Sequence, residues 1–219
     1  MTETLTVTAG AEGLRALLSR ATGIDADASA RFRQRGDGSV DVFVTTPFDV
    51  IAARRVEGTA GRDGAVVRAS DLRDALAEGR TEIGAARDIA WPGALPPAGG
   101  FTLLDTLPVT VVRQLADQGQ ALARQFSGPL GPPQSLLDQT VLTVTASDGA
   151  GADSAGDPGA AEITMRMVFT CTSLGLIPGA AAPESIPRHL RVSGTGTWVR
   201  VDAPFGTVYR STRQSVLQF

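Results

Sequence analysis

A chain of 219 residues with 42% hydrophobic and 20% charged residues has the composition of a soluble globular protein, not of a disordered polyelectrolyte. Its 20 basic residues are outnumbered by 23 acidic ones, for a formal net charge of −3, which excludes a globally basic nucleic-acid-binding chain. Every basic residue is Arg, and without Lys the sequence excludes Schiff-base chemistry and a lysine-bearing phosphate loop.

The length suits one large domain or two of about 100–110 residues each. Aromatics are only 5% of the chain, so its cores must be built from Val, Leu, Ile and Ala. Cys171 is the single cysteine, which rules out an intrachain disulfide and fits a reducing compartment. The opening MTETLTVTAG lacks the basic and apolar regions of a signal peptide, and no apolar run reaches the roughly 18 residues of a membrane span. A cytoplasmic protein with no membrane association is expected.

In chain order, residues 4–8 predict a strand and residues 11–21 an amphipathic helix. Residues 30–34 and 40–45 predict a hairpin turned by Gly36-Asp37-Gly38, with Val40, Val42 and Val44 in period-two alternation. Strands at 49–57 and 65–68 follow. Ser70 is expected to cap a second helix over 71–78, with Asp71 against its positive end and Gly79 at its C-terminus. Residues 81–91 predict one strand or two short ones. The Pro/Gly run at 92–100 can continue neither element and is the expected linker between domains 1–91 and 101–219.

The second half predicts a strand at 101–107, a helix over 109–126, a Pro-rich connection at 127–135 and a strand at 140–145. An inserted loop of small residues at 147–161 precedes a strand predicted at 162–172, placed as the counterpart of the strand at 39–46. Strands at 189–193, 196–202 and 207–212 close the chain, and no counterpart of the second helix is expected.

The two halves open alike. LTVT followed by GLRALLSRA is echoed by FTLLDTL followed by VTVVRQLADQGQALARQF, which sets Arg15 on Arg113 and Leu17 on Leu115. The first half adds the block GDGSVDVFVTTPFDVIAARRV and then GAVVRASDLRDAL. Asp37-Gly38, Thr46, Asp49 and Arg55-Val56 within that block, and the order strand, helix, hairpin, strand, short strand, helix, resemble the repeated domain of DNA sliding clamps, the bacterial polymerase processivity factors. The resemblance is clearest over residues 3–80 and looser over 101–172.

It implies an α+β fold of two similar clamp-like domains, each a helix-backed, mainly antiparallel sheet. Bacterial clamps have three such domains per chain, whereas eukaryotic and archaeal clamps have two and complete a ring from three subunits. A homo-oligomer is therefore expected, with helices facing double-stranded DNA. Each of three helices repeats one arrangement, an Arg one position after a core residue: Leu14-Arg15, Leu72-Arg73 and Val112-Arg113. Such an Arg lies about 100° around the helix from its core neighbour. Arg80 and Arg124 are predicted to return to the faces of Arg73 and Arg113, and Arg20 to flank the first helix. Those six are the candidate DNA contacts, diluted by Glu12, Asp74, Glu78 and Asp117.

The chain closes on Gln214-Ser215-Val216-Leu217-Gln218-Phe219, which resembles the Q-x-x-L-x-F peptide by which partners dock on bacterial clamps. Gln214, Leu217 and Phe219 are candidate contacts to a polymerase clamp; the alternative is a final strand packing those side chains on its sheet. With His189 and Cys171 as sole representatives of their types, the sequence excludes a zinc site of the usual His/Cys kind. A Cys171–His189 pair lacks any nucleophile context, and TCTSLG reads as buried strand. Asp148, Asp153 and Asp157 lack the spacing of a calcium loop.

No catalytic residue, metal or cofactor is expected. Three functional readings stay open: a non-enzymatic clamp-like protein of DNA replication or repair, acting by DNA encirclement or partner docking; a clamp-fold protein-binding scaffold that never touches DNA; and a small-molecule-binding protein or enzyme using a cleft between halves.

Overall fold

A computed structural model describes residues 2–126, 132–145 and 159–212. It divides into two compact units, Met1–Ala94 with Ser173–Gly175, and Leu95–Thr172 with Leu176–Phe219.

In the first unit the order is β1 (Thr2–Ala9), α1 (Ala11–Ile24), β2 (Ser29–Gln34), β3 (Ser39–Val44), β4 (Ile51–Ala60), β5 (Val66–Arg68), α2 (Ala69–Ala77) and β6 (Glu82–Ala85). A 3-10 turn at Asp88–Ala90 follows. The strands lie in the order β5-β2-β3-β4-β1-β6, every pair antiparallel. Leu14, Leu17, Leu18 and Ala21 recur at helical spacing and bury one stripe of α1; Leu72 and Ala75 do the same for α2. Phe32, Val40 and Val42 on the strands are likewise fully buried.

The T-x-x-D segment between β3 and β4 is a turn. The Thr46 hydroxyl donates to the Val50 carbonyl at 2.7 Å, and Asp49 takes a left-handed φ of 54°. Where β1 crosses β4 the register shifts between Val7 and Ala9, opposite Gly58. A Cβ at Gly58 would stand 2.0 Å from the Thr6 carbonyl oxygen, so only glycine lets the strands approach this closely.

The second unit runs β7 (Thr102–Pro108), α3 (Val109–Phe126), α4 (Gln134–Leu137), β8 (Thr140–Thr145), β9 (Ala160–Thr164), α5 (Met165–Ser173), β10 (His189–Thr195), β11 (Trp198–Ala203) and β12 (Gly206–Ser211). Antiparallel pairing joins β7-β10-β11-β12, and separately β8 to β9. Leu107, Val112, Leu190, Val192, Val201 and Val208 supply buried aliphatic surface, as the scarcity of aromatics requires.

The fold class is α+β, as the sequence predicts, but the internal repeat differs from the expected one. The strand expected over 162–172 is β9 followed by helix α5, so the second helix does have a counterpart. Met165–Cys171 is buried on every side, which erases the polar–apolar period, and its Val, Thr and Phe residues carry strand propensity that tertiary packing overrides.

Pairing confirms the correspondence. The first strand after each unit's opening helix pairs antiparallel with the strand that leads into α2 or α5 (β2 with β5, β8 with β9). The opening strand pairs with the one that follows α2 or α5 (β1 with β6, β7 with β10). Among the described residues the second helix therefore has a counterpart, whereas β3 and β4 of the first unit and α4, β11 and β12 of the second have none.

Smaller corrections concern helix ends. Arg68, not Ser70, occupies the N-cap of α2, without a side-chain cap; Ser70 sits inside the helix and its hydroxyl donates to Asp71 at 3.4 Å. Residues 81–91 form β6 and the 3-10 turn.

Candidate nucleic-acid and partner interface

The exposed stripe of α1 runs Glu12, Arg15, Ala16, Ser19, Arg20 and Gly23, opposite its buried leucines. Arg15 and Arg20, five residues apart, flank that stripe about 140° from each other. Neither has an ion-pair partner among the described residues. The Arg20 guanidinium lies along Gly175, whose Cβ, if it had one, would come within 2.7 Å of it.

On α2 the arrangement is different. Arg73 is half-buried, pairs with Asp74 at 2.8 Å and donates to the Thr22 hydroxyl of α1 at 2.9 Å. The Arg73–Asp74 hydrogen bond holds the Asp74 carboxyl below its usual range and the Arg73 guanidinium above its own. Arg80 does not return to the face of Arg73, because α2 stops at Ala77 and the chain turns at Gly79 with φ 66°. It pairs with Glu78 and donates to the Glu82 carbonyl at 3.1 Å. With Asp71, Asp74 and Glu78 all exposed, this surface carries more acid than free base.

In the second unit Arg113 is half-buried and donates to the Pro178 carbonyl. Arg124 is exposed in the last turn of α3, where cations complement the helix dipole, and has no ion-pair partner among the described residues. The structure thus leaves Arg15, Arg20 and Arg124 unpaired and engages Arg73, Arg80 and Arg113. It does not gather the six into one basic patch.

The exposed side of α3 is polar on one flank and apolar on the other. Val111, Leu115, Leu122 and Phe126 fall within about 60° of arc. Val111, Leu122 and Phe126 are 37%, 41% and 67% exposed. Leu122 and Phe126 line a groove of about 500 Å³ with Pro133, Ser135, Leu136 and Gln139. The spacing of these apolar residues was readable in the sequence; that they face solvent was not.

Gln214, Leu217 and Phe219 lie outside the described residues, as do Asp148, Asp153 and Asp157. Cys171 belongs to α5, not to a strand, and is 2% exposed. Burial pushes its thiol up to about 12, which removes the thiolate a nucleophile needs near neutral pH. Arg166, also on α5, escaped notice in the sequence. Only 7% exposed, it donates to Asp138 at 2.7 Å and to the Gln134 amide oxygen, tying α5 to α4. Among the described residues no group of three His, Cys, Asp or Glu side chains is placed to hold a metal ion. No described helix is long and apolar enough to cross a membrane.

Residues 96–215 match the family described as Domain of unknown function (DUF8185), and residues 1–93 match Domain of unknown function (DUF8010). No curated protein matches the sequence. Among solved structures, the DNA polymerase sliding clamp from Pseudomonas aeruginosa with ligand is similar over 100% of this chain, at 13% identity and a TM-score of 0.52. The DnaN sliding clamp (DNA polymerase III subunit beta) from Bartonella birtlesii bound to griselimycin is similar over 99% of it, at 14% identity and a TM-score of 0.54. A further DNA polymerase III subunit beta from Pseudomonas aeruginosa gives 11% identity over 99% and a TM-score of 0.53. The chain spans 66% of the length of each of these three. At such identities the likeness shows the fold: this is a divergent clamp-fold chain.

Proposed function

The chain belongs to the DUF8185 family, and we propose that it is a non-enzymatic clamp-fold protein that serves DNA replication or repair by docking protein partners. The observation that carries this reading is the exposed flank of α3, which is apolar where a DNA-facing helix needs to be basic. Leu122 and Phe126 border an open groove, while Arg113 on the same helix is engaged by the Pro178 carbonyl. Exposed apolar surface of this kind marks interaction sites in soluble proteins. The likeness to DNA polymerase sliding clamps supports the replication or repair setting. Burial of Cys171 argues against that thiol as a nucleophile.

A polymerase clamp is the proposed partner for the segment bearing Gln214, Leu217 and Phe219. Its test is the binding of purified bacterial sliding clamp to the full chain and to a variant with all three residues changed to Ala. Saturable binding that the triple variant loses, at unchanged melting temperature, is the expected result. Absence of binding, or equal binding by both chains, refutes this partner.

A second reading, DNA contact within a homo-oligomer, is favoured by Arg15, Arg20 and Arg124, which remain unpaired and exposed. It requires a duplex affinity that falls steeply with salt.

A further inference from the structure

Four residues of the first unit converge on Val66 at the edge of its sheet. Arg31 on β2 stands directly opposite Val66 on β5. The Arg87 backbone N–H donates to the Val66 carbonyl at 2.8 Å, and the Asp88 carboxylate accepts the Val66 N–H at 3.0 Å. Trp91, whose backbone N–H donates to the Asp88 carbonyl at 3.3 Å, lies under Arg31, with the guanidinium carbon 5.8 Å from its ring centroid.

This cluster holds three shielded polar atoms without a hydrogen-bond partner: Arg31 Nε, Arg87 Nη1 and Trp91 Nε1. All three are donors. A buried donor left without a partner is costly, and native structures leave few of them. Here all three belong to residues grouped around Val66 and Asp88, and Trp91 as a whole is only 7% exposed.

Charge points the same way. Asp88 is already taken by Arg62, whose Nη2 meets both its oxygens at 2.8 Å and also reaches Glu3 Oε1 at 2.7 Å. Glu3 and Asp88 therefore share Arg62; the Arg31 charge also acts on Asp88, but neither Arg31 nor Arg87 lies within ion-pair distance of a carboxylate among the described residues. Both arginines are half-buried and keep some surface, and Ile89, between Arg87 and Trp91, is fully exposed, so the cluster lies close under the protein surface.

We propose that Arg31, Arg87 and the Trp91 indole N–H form a binding site for an oxyanion, a carboxylate or phosphate group of an acidic ligand. Two guanidiniums supply charge and forked donors, the indole supplies a third donor, and the Trp91 ring holds Arg31 in place from below. The site lies beside β2 and β5, uses none of the six candidate DNA-contact arginines, and stands independently of the proposed partner docking.

Trp91 and Trp198 are the two tryptophans, so Trp198→Phe leaves Trp91 as the sole indole reporter in the full chain. Its indole N–H signal and emission are followed while inorganic phosphate, and separately acetate, replaces chloride at constant ionic strength. Saturable change with at least one anion is expected, and Arg31→Gln or Arg87→Gln should each weaken it by at least about tenfold, the loss of one charge-assisted hydrogen bond. Saturation by phosphate alone assigns a phosphate ligand; by acetate alone, a carboxylate; by both, any oxyanion. A change linear in anion concentration, or one that survives both substitutions, overturns the proposal. Arg87 lies outside the sheet, so Arg87→Gln decides the matter if Arg31→Gln lowers the melting temperature.

Discussion

The Arg73 guanidinium is held between two helices, with the Asp74 carboxylate 2.8 Å to one side and the Thr22 hydroxyl 2.9 Å to the other. A side chain that the sequence presents as a free cation on a helix face is a link between α1 and α2. Its charge is cancelled by the next residue in the chain. Arg80 is cancelled in the same way by Glu78.

It follows that Asp74→Asn with Glu78→Gln releases two guanidiniums. The double variant should bind duplex DNA more tightly than the parent. Its log–log salt dependence should steepen by about 2 per bound chain, from roughly 0.9 per phosphate contacted. Stability should change little, since these exposed surface pairs contribute little. Fluorescence anisotropy across a salt series reads the first effect and thermal melting the second.

Gly58→Ala should destabilise the fold by about 3 kcal/mol or more, because the new methyl meets the Thr6 carbonyl and a φ of 151° disfavours any L side chain. Denaturant unfolding measures this. Gly36→Ala, with nothing within 4 Å of the added carbon, is the matched control and should change stability little.

Cys171 should resist thiol reagents in the native protein at neutral pH and react once the chain is unfolded. Its folded-state pKa, about 12, lies above the ordinary thiol value of about 8.5. Between these limits the folded chain keeps a proton that the unfolded chain releases, so this group's contribution to stability falls as pH rises. Cys171→Ala should therefore show a shallower alkaline loss of melting temperature than the parent.

Asp138 supplies the acid counterpart. The Arg166 hydrogen bond holds its carboxyl below the usual range, with Coulomb attraction adding and desolvation opposing. A depressed folded-state pKa gives stability that is present above the ordinary carboxylate value of about 4 and lost as pH falls through the folded one. Arg166→Met should lower the melting temperature at neutral pH and flatten its decline on acidification. An unchanged acid limb would show that the pair does not couple to folding.

Much of this architecture was legible in the chain. Leucines at helical spacing gave α1, Val40, Val42 and Val44 gave β3, and the Thr46–Asp49 turn and Arg55-Val56 carried the clamp resemblance. What the sequence concealed was environment. Helix α5 is buried all round, so no period separated it from a strand, and its loss hid the true internal repeat. Candidate DNA contacts were chosen by helical position, yet position does not disclose that Asp74 and Glu78 reach Arg73 and Arg80, or that Arg113 finds a carbonyl. The Arg31–Trp91 stack joins residues sixty apart and leaves no local pattern.

The salt dependence of duplex DNA binding tests the central claim most directly, that this clamp fold docks partners rather than encircling DNA. Among the described residues Arg15, Arg20 and Arg124 are the candidates without an ion pair, so the log–log slope per bound chain should be no steeper than about −3, with affinity in the non-specific range of about 10⁻⁴–10⁻⁶ M. A slope of about −5 or steeper, relaxed by substituting Arg73, Arg80 or Arg113, would contradict the account.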